Sequence, residues 1–283
     1  SFTYDAFVIA LLMLGIALFV TEYLSEEKIQ TKRTMVSILA MVVGCFSKAV
    51  YIPFLALYWL MPKDKFYSRR QKNLFKAGIF VLLILMFASF ILPLIGNVTS
   101  GAEVGDYRGG DTSQTSQLSM ILGYPLTYTG VLLKSLGTTF ASYFIGSKVL
   151  ANFAYRGIYD GIGYFVVLLT MLFTFVTDFG MTEKTYDAQM KRKILMMKIW
   201  NAVLIFGTAC LVWTALYLDF TPVGSMVING VSPRYYLPLI FPLSLIFINQ
   251  KVRCSMKLEN YQSLIAFLML IGTGISIYCL MLA

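Results

Sequence analysis

The sequence predicts an all-α fold, a polytopic transmembrane helical bundle. Two observations support this prediction: 58% of the 283 residues are hydrophobic, and only 13% are charged. Soluble domains of this length carry about twice that share of charge. Several nearly uncharged stretches also follow one another along the chain, each close to the roughly 20 residues that a helix needs to cross a bilayer. The sequence therefore predicts a single transmembrane domain over residues 1–283.

Six of these stretches predict membrane-spanning helices. They are 4–24, 74–96, 158–179, 194–218, 235–249 and 263–283. The fifth is short and contains Pro238 and Pro242. Because proline removes a backbone donor and clashes with the preceding turn, we expect this stretch to be kinked or only partly embedded.

Basic residues in the loops predict the side of the membrane on which each loop lies. Four loops carry at least three lysines or arginines each, and these are 25–34, 62–77, 180–193 and 250–262. An excess of lysine and arginine marks cytoplasmic loops. The pattern places these four loops in the cytoplasm and Ser1, before the first helix, outside.

The apolar run 35–61 lies between two of these cytoplasmic loops, and Lys48 is its only charged residue. Such a run cannot cross the membrane once, so we predict two short helices that go in and come back, with a bend at Lys48. About 13 residues of helix rise about 20 Å, which brings Lys48 to the outer part of the hydrocarbon. From there a lysine can snorkel to water or to a phosphate. One long tilted helix with Lys48 facing a neighbour is the alternative.

The stretch 117–146 must begin and end outside if the helices on either side have the directions given above. Its tyrosine, threonine and serine content predicts a helix or helix pair lying at the outer interface; a hairpin dipping into the membrane is the alternative. Residues 97–157 are therefore predicted to form an external loop and interfacial helix region within the transmembrane domain.

Composition also argues against several classes of function. The net charge of +9 lies mainly in the short loops, where it indicates topology rather than nucleic-acid binding. The chain has no histidine, and its four cysteines form no CxxC pair, so neither a metal site nor a disulfide framework is indicated. No cofactor is predicted, and no glycine-rich phosphate loop, nucleophile triad or zinc motif is found.

Lys48 and Tyr51 are the first candidate substrate-binding residues. The ammonium of Lys48 is a point charge that suits the oxygen of a lipid phosphate, although snorkelling or pairing with a structural carboxylate would also explain it. Tyr51 lies about one turn further along a helix. It could donate its hydroxyl to a ligand or anchor the helix at the interface.

Three more candidates stand at external helix ends. Asp5 lies in a first helical turn, where the helix dipole favours an anion, and it is also the candidate catalytic carboxylate. Arg234 is the only basic residue of external loop 219–234, and its guanidinium fork suits a phosphate. Tyr235 beside it could stack on a sugar or anchor the helix.

The segment GAEVGDYRGGDTSQ, residues 101–114, gathers charged side chains among glycines. Glycine-rich external loops with carboxylates can bind a sugar or a divalent cation. Asp106 and Arg108 are therefore candidate substrate-binding residues. The spacing is not that of a dedicated calcium loop, and a solvated loop is the alternative.

Four stretches occur in this order along the chain: SFTYDAF, SKAVYIPFLALYWLMPKDKF, QLSMILGYPLTYTGVLLKSL and SPRYYLPLIFPL. Together they resemble an uncharacterised family of bacterial polytopic predicted membrane proteins. That family is similar in layout to the GT-C glycosyltransferases, which take sugars from polyprenyl-phosphate donors on the external face of the membrane.

The resemblance implies a bacterial cytoplasmic-membrane protein that transfers a sugar from a polyprenyl-phosphate donor to an extracytoplasmic glycan or lipid acceptor. It implies that Lys48 and Arg234 bind the carrier phosphate, while a carboxylate deprotonates the acceptor hydroxyl. GT-C enzymes carry an acidic residue in the first external loop. This chain begins several helices later, so we expect N-terminal helices before Ser1, and the carboxylate is either there or Asp5.

Two alternatives stay open. A transporter or flippase for a lipid-linked or polar solute predicts charges through both leaflets, whereas Lys48 is the main intramembrane charge. A non-catalytic membrane subunit of a larger complex needs no catalytic loop. Membrane lipid is an expected partner in every case, and nucleic acid is not.

Overall fold

The structure is a computed structural model that describes residues 4–100, 111–153, 157–177, 187–247, 252 and 254–282. Within these ranges the regular elements are helices, apart from an isolated β-bridge between Asn152 and Ile158. Four of the described helices are long and apolar enough to cross a membrane. The predicted all-α transmembrane bundle is confirmed.

The helices follow the predicted order. The α-helices are α1 (Tyr4–Leu24), α2 (Thr31–Cys45), α3 (Arg69–Ser100), α4 (Gln114–Gly123), α5 (Pro125–Phe144), α6 (Ser147–Leu150), α7 (Ile162–Val176), α8 (Ala188–Phe220), α9 (Ile240–Phe247) and α10 (Leu258–Leu282). 3-10 helices cover Ala49–Leu60, Lys63–Lys65 and Pro233–Leu239.

Helices α1, α3, α8 and α10 have the length and hydropathy of membrane spans, in agreement with four of the six predicted ones. The other two stretches form shorter elements. Helix α7 has 15 residues. The stretch predicted over 235–249 is a 3-10 helix that contains Pro238, followed by the eight residues of α9, so the expected interruption is present.

The run 35–61 leaves one end of the bundle and returns to it. The amide of Ile29 donates to the Lys65 carbonyl at 2.9 Å, and the Tyr58 hydroxyl donates to the Thr34 carbonyl at 3.5 Å, so the two ends of the run are adjacent. Residues 46–48 form the bend between α2 and the 3-10 helix. The predicted helix pair is confirmed, and the alternative of one long helix is wrong.

The returning arm is a 3-10 helix of 12 residues, Ala49–Leu60, which the sequence did not predict. At a rise of about 2.0 Å per residue it spans about 24 Å, which matches the roughly 22 Å of the 15-residue α2. An α-helix of 12 residues would rise only about 18 Å. This arm lies in the core of the bundle, where the side chains of Tyr51, Phe54 and Tyr58 are fully buried.

Helices α1 and α2 pack closely because each helix presents a glycine to the other at the contact. A Cβ on Gly15 would lie 2.5 Å from Cγ of Met41 and 3.0 Å from the Ser37 carbonyl oxygen. The Ser37 hydroxyl donates to the Gly15 carbonyl at 2.5 Å. Further along, Gly44 faces the side chain of Leu11. The two helices are therefore antiparallel, with Gly15 opposite Ser37 and Leu11 opposite Gly44.

The end of the bundle at which α1 finishes is called here the basic end. The Tyr23 hydroxyl donates to the Lys193 carbonyl at 3.1 Å, and the Lys28 ammonium donates to the Asp64 carbonyl at 2.8 Å. Glu22 is fully buried and lies 3.4 Å from Arg33. Parts of three of the four lysine- and arginine-rich loops thus meet at one end of the bundle. This is expected if these loops lie on the same side of the membrane.

The opposite end, at which α1 begins, is called the distal end. Helix α5 lies across α8 there: the ring centroids of Tyr128 and Tyr217 are 5.1 Å apart, and those of Tyr143 and Trp213 are 6.2 Å apart. The 15 residues between Tyr128 and Tyr143 span about 22 Å of helix, yet both contact the same two turns of α8. This crossing fits the interfacial helix pair predicted for 117–146.

Candidate functional site

Asp5 and Lys48 form an ion pair at the distal end. The Lys48 ammonium donates a hydrogen bond to Oδ1 of Asp5. The side chain of Lys48 is only 7% exposed and that of Asp5 only 12%. The register that sets Leu11 of α1 opposite Gly44 of α2 continues to this pair. Helix packing therefore positions both charges.

Arg234 approaches the same carboxylate from the 3-10 helix Pro233–Leu239. Its Nη1 lies 4.0 Å from Oδ2 of Asp5, and its side chain is 51% exposed. Among the described residues, two formal cations thus contact one formal anion, which gives these three side chains a net charge of +1. The exposed guanidinium carries that charge to the surface, where an anionic ligand could reach it.

Two tyrosines, Tyr235 and Tyr51, also contribute to the cluster. The Lys48 ammonium lies 4.2 Å from the ring centroid of Tyr235, and Cζ of Arg234 lies 5.8 Å from it, both within the range of cation–π attraction. The Tyr51 hydroxyl donates to the Tyr235 carbonyl at 2.6 Å. Tyr51 thereby fixes the backbone that presents Tyr235 and Arg234.

Five of the seven predicted site residues therefore meet at one place. We call this group the distal cluster, and it consists of Asp5, Lys48, Tyr51, Arg234 and Tyr235. Asp106 and Arg108 lie outside the described residues. The roles predicted for all seven stay predictions.

Two side chains of the cluster are shielded from water. Lys48 is 9% exposed because Asp5 and the Tyr235 ring cover its ammonium. Tyr51 is fully buried, and its hydroxyl donates to the Tyr235 carbonyl. Direct access to the cluster from outside is through Arg234 and the half-buried Tyr235.

An aromatic wall behind the cluster could not be located from the sequence. The indole N–H of Trp213 donates to the Tyr236 hydroxyl at 2.5 Å, and the rings of Phe144 and Tyr143 meet the Tyr236 ring edge-on at 4.7 and 5.6 Å. Tyr236 is only 2% exposed, so it supports the 3-10 helix instead of offering a face to a sugar. Only tertiary contacts between α5, α8 and this helix identify the wall.

An apolar groove continues from the cluster along the bundle. One part has a volume of about 610 Å³ and is lined by one face of α1 and by Phe241. A second part, of about 500 Å³, shares Ile9, Met13 and Phe241 with the first and adds side chains of α7 and α10. Sequence reasoning missed this groove, because each of its walls is an ordinary apolar helix.

Both main walls of the groove end in a charged residue of the cluster. On α1, Asp5 lies one turn from Ile9, on the same face. In the 3-10 helix, side chains three residues apart eclipse one another, so Arg234 stands in line with Leu237, another groove-lining residue. The distal cluster therefore caps the groove.

Among the described residues, no group of three or more His, Cys, Asp or Glu side chains could hold a metal ion. A family model described as a predicted membrane protein (DUF2142) matches residues 1–243. The matched region contains the complete distal cluster and the α1 wall of the groove. No curated protein and no solved structure matches the chain.

Proposed function

The chain belongs to the DUF2142 family of predicted membrane proteins and is a multi-pass membrane protein, and from that premise we propose that it is a glycosyltransferase-like enzyme. The proposed reaction transfers a sugar from a polyprenyl-phosphate donor to an extracytoplasmic glycan or lipid acceptor. The observation that carries the proposal is the distal cluster, in which Lys48 and Arg234 converge on the single carboxylate of Asp5.

The cluster and the groove together suit the two halves of such a donor. A phosphate at the exposed Arg234 fork would balance the surplus positive charge and could accept two parallel hydrogen bonds. The polyprenyl chain would lie in the groove below, between α1 and the segment that carries Leu237 and Phe241. Burial of the chain against apolar side chains would then add to the affinity in proportion to the area covered.

Asp5 has one oxygen available for proton transfer. Its Oδ1 accepts from Lys48, whereas Oδ2 lies 4.0 Å from Nη1 of Arg234 and accepts no hydrogen bond from the described residues. In the proposed step Oδ2 would take the proton of the acceptor hydroxyl as that oxygen bonds to the anomeric carbon. The bond from this carbon to the phosphate oxygen would break, and the polyprenyl phosphate would leave with its negative charge beside Arg234 and Lys48.

The proposed orientation follows from the two ends of the bundle. The basic end would face the cytoplasm of a bacterial cell, since lysine and arginine accumulate in cytoplasmic loops. The distal end, with the cluster and the start of α1, would then lie at the outer face of the cytoplasmic membrane. An acceptor glycan or lipid would reach the cluster from that side.

The test uses the full chain in proteoliposomes, with polyprenyl phosphates that carry a panel of radiolabelled sugars. We expect Arg234→Ala and Lys48→Ala to abolish transfer, and Arg234→Lys to retain part of it because the charge remains while the fork is lost. Lys134→Ala, which removes an exposed cation from α5, is the matched control and should transfer at the wild-type rate. Size-exclusion chromatography separates loss of activity from loss of fold in Lys48→Ala.

Asp5→Asn separates binding from chemistry. It should still bind polyprenyl phosphate, since both cations remain, but it should not transfer the sugar. Wild-type rates in both Arg234→Ala and Lys48→Ala would refute the site. Donor binding by the wild type without any transfer would refute the enzyme and favour the transporter or subunit alternatives.

A further inference from the structure

At the basic end, the rings of Trp59, Phe80 and Trp200 form an aromatic patch that connects α3 and α8. Trp59, in the last turn of the 3-10 helix Ala49–Leu60, has its ring centroid 6.4 Å from that of Phe80 on α3 and 6.4 Å from that of Trp200 on α8. The indole N–H of Trp200 donates to the Ala56 carbonyl at 2.9 Å. That of Trp59 makes no hydrogen bond within the described part of the chain, although Trp59 is 37% exposed.

Two lysines of α3 lie beside this aromatic patch. The Lys76 ammonium donates to the Trp59 carbonyl at 2.8 Å, which leaves two of its three N–H groups for other acceptors. Lys72 precedes Lys76 by one turn on the same face. Neither ammonium forms an ion pair with a carboxylate in the described ranges. Like charges four residues apart destabilise a helix slightly, and an anion between them would relieve this repulsion.

We propose that the aromatic patch and the two lysines bind the headgroup of an anionic phospholipid. The phosphate lies against the ammonium groups of Lys72 and Lys76 and accepts from the free indole N–H of Trp59. The acyl chains run along Phe80 and Ile84, which share a face of α3 and are 52% and 50% exposed. Basic pockets between spanning helices recognise anionic lipids in this manner. The occupant must be both anionic and apolar, because lysines and exposed rings adjoin, and a free phosphate meets only half of that chemistry.

The lipid site does not depend on the proposed enzyme activity, since it lies at the opposite end from the distal cluster. The proposed role of the bound lipid is to stabilise the packing of the helices. Trp59 lies in the last turn of the 3-10 helix and its carbonyl accepts from Lys76, so a bound headgroup would tie the returning arm to α3. We therefore expect the lipid to stabilise the fold as well as to bind.

The experiment measures binding of phosphatidylglycerol and of phosphatidylcholine to the purified full chain by native mass spectrometry, together with the melting temperature in detergent. The double variant Lys72→Ala/Lys76→Ala should bind phosphatidylglycerol at least about tenfold more weakly, and phosphatidylglycerol should no longer raise its melting temperature. That tenfold loss of affinity corresponds to about 1.4 kcal/mol. The control Lys191→Ala/Arg192→Ala removes the same charge from exposed residues of the same end and should bind phosphatidylglycerol within about twofold of wild type.

Single variants keep the test independent of the double variant's folding. Lys72→Gln and Trp59→Phe should each weaken phosphatidylglycerol binding about threefold, since each removes one partner of the phosphate. Equal losses in the two double variants would show diffuse attraction and overturn the site. Equal binding of the two lipids by the wild type would overturn it as well.

Discussion

Lys48→Met would remove the hydrogen bond that the nearly buried Asp5 carboxylate accepts and leave it with the half-exposed Arg234, 4.0 Å away. Because both side chains are at most 12% exposed, solvent cannot compensate. We predict that Lys48→Met lowers the free energy of unfolding by about 3–5 kcal/mol. Adding Asp5→Asn should restore most of this loss, because the second change neutralises the abandoned carboxylate.

Thermal unfolding of the four proteins of this double-mutant cycle, in one detergent, measures the coupling. The Lys134→Ala variant of α5 again provides the control, and we expect it to unfold like the wild type. If the effects of Lys48→Met and Asp5→Asn on the free energy of unfolding simply add, the prediction of direct coupling between Asp5 and Lys48 is wrong.

The individual residues of the distal cluster could be identified from the sequence, but their geometry could not. Lys48 stood out as a charge within an apolar run, and Arg234 as a cation on the side with few of them. Their convergence on Asp5 depends on how α1 sits against α2, and no local pattern specifies that register. The burial of Lys48 depends in turn on the Tyr235 ring, which arrives from a segment 187 residues further along the chain.

At the scale of elements, the contact between α1 and α2 decides where the cluster forms. Gly15→Leu would place a side chain against Met41 and the Ser37 backbone and force the helices apart. We predict a loss of stability on the order of 1–3 kcal/mol, as for other overpacked contacts. Polyprenyl-phosphate binding should fall with it, since α1 is also a wall of the groove proposed to hold the polyprenyl chain.

Gly78→Leu is the matched control for this prediction. Gly78 also lies within a long apolar helix, α3, but a Cβ there would have no atom within 4 Å. Because leucine has a higher helix propensity than glycine, Gly78→Leu should unfold at or above the wild-type temperature and bind normally. Equal losses in the two variants would show that helix packing at Gly15 is not the cause.

The elements themselves were predictable to different degrees. Long apolar helices such as α1 and α8 have a composition and a length that indicate a membrane span directly. The 3-10 geometry of Ala49–Leu60 was not predictable, because it depends on the length of the neighbouring helix α2, which these 12 residues match only at the larger rise of a 3-10 helix. The groove was not predictable either, since it is the space that α1, α7, α9 and α10 leave between them.

At the scale of the whole molecule, the two ends of the bundle have different chemistry. The basic end collects lysines and arginines, a fully buried Glu22 and the proposed lipid site, and its contacts fasten the loops to one another. The distal end collects one cluster of opposite charges above an apolar groove. This polarity suits an enzyme that is anchored on one face and takes a lipid-borne substrate on the other.

The polarity leads to a topological prediction that single cysteines can test. In a chain without the four native cysteines, we would place one cysteine at Glu27, Lys63 or Thr115, all of which are exposed. Glu27 and Lys63 flank the run 35–61 at the basic end, and Thr115 lies on α4 at the distal end. A membrane-impermeant maleimide should label Thr115→Cys in intact cells, and the other two only after permeabilisation.

The labelling separates the fold from the orientation because each gives its own pattern. Labelling of Glu27→Cys and Lys63→Cys from opposite sides would contradict the returning 3-10 helix, since the run would then cross the membrane. Labelling of both from outside, with Thr115→Cys protected, would keep the helix pair but invert the protein. In that case the distal cluster would face the cytoplasm, and the proposed donor would have to be presented on the inner leaflet.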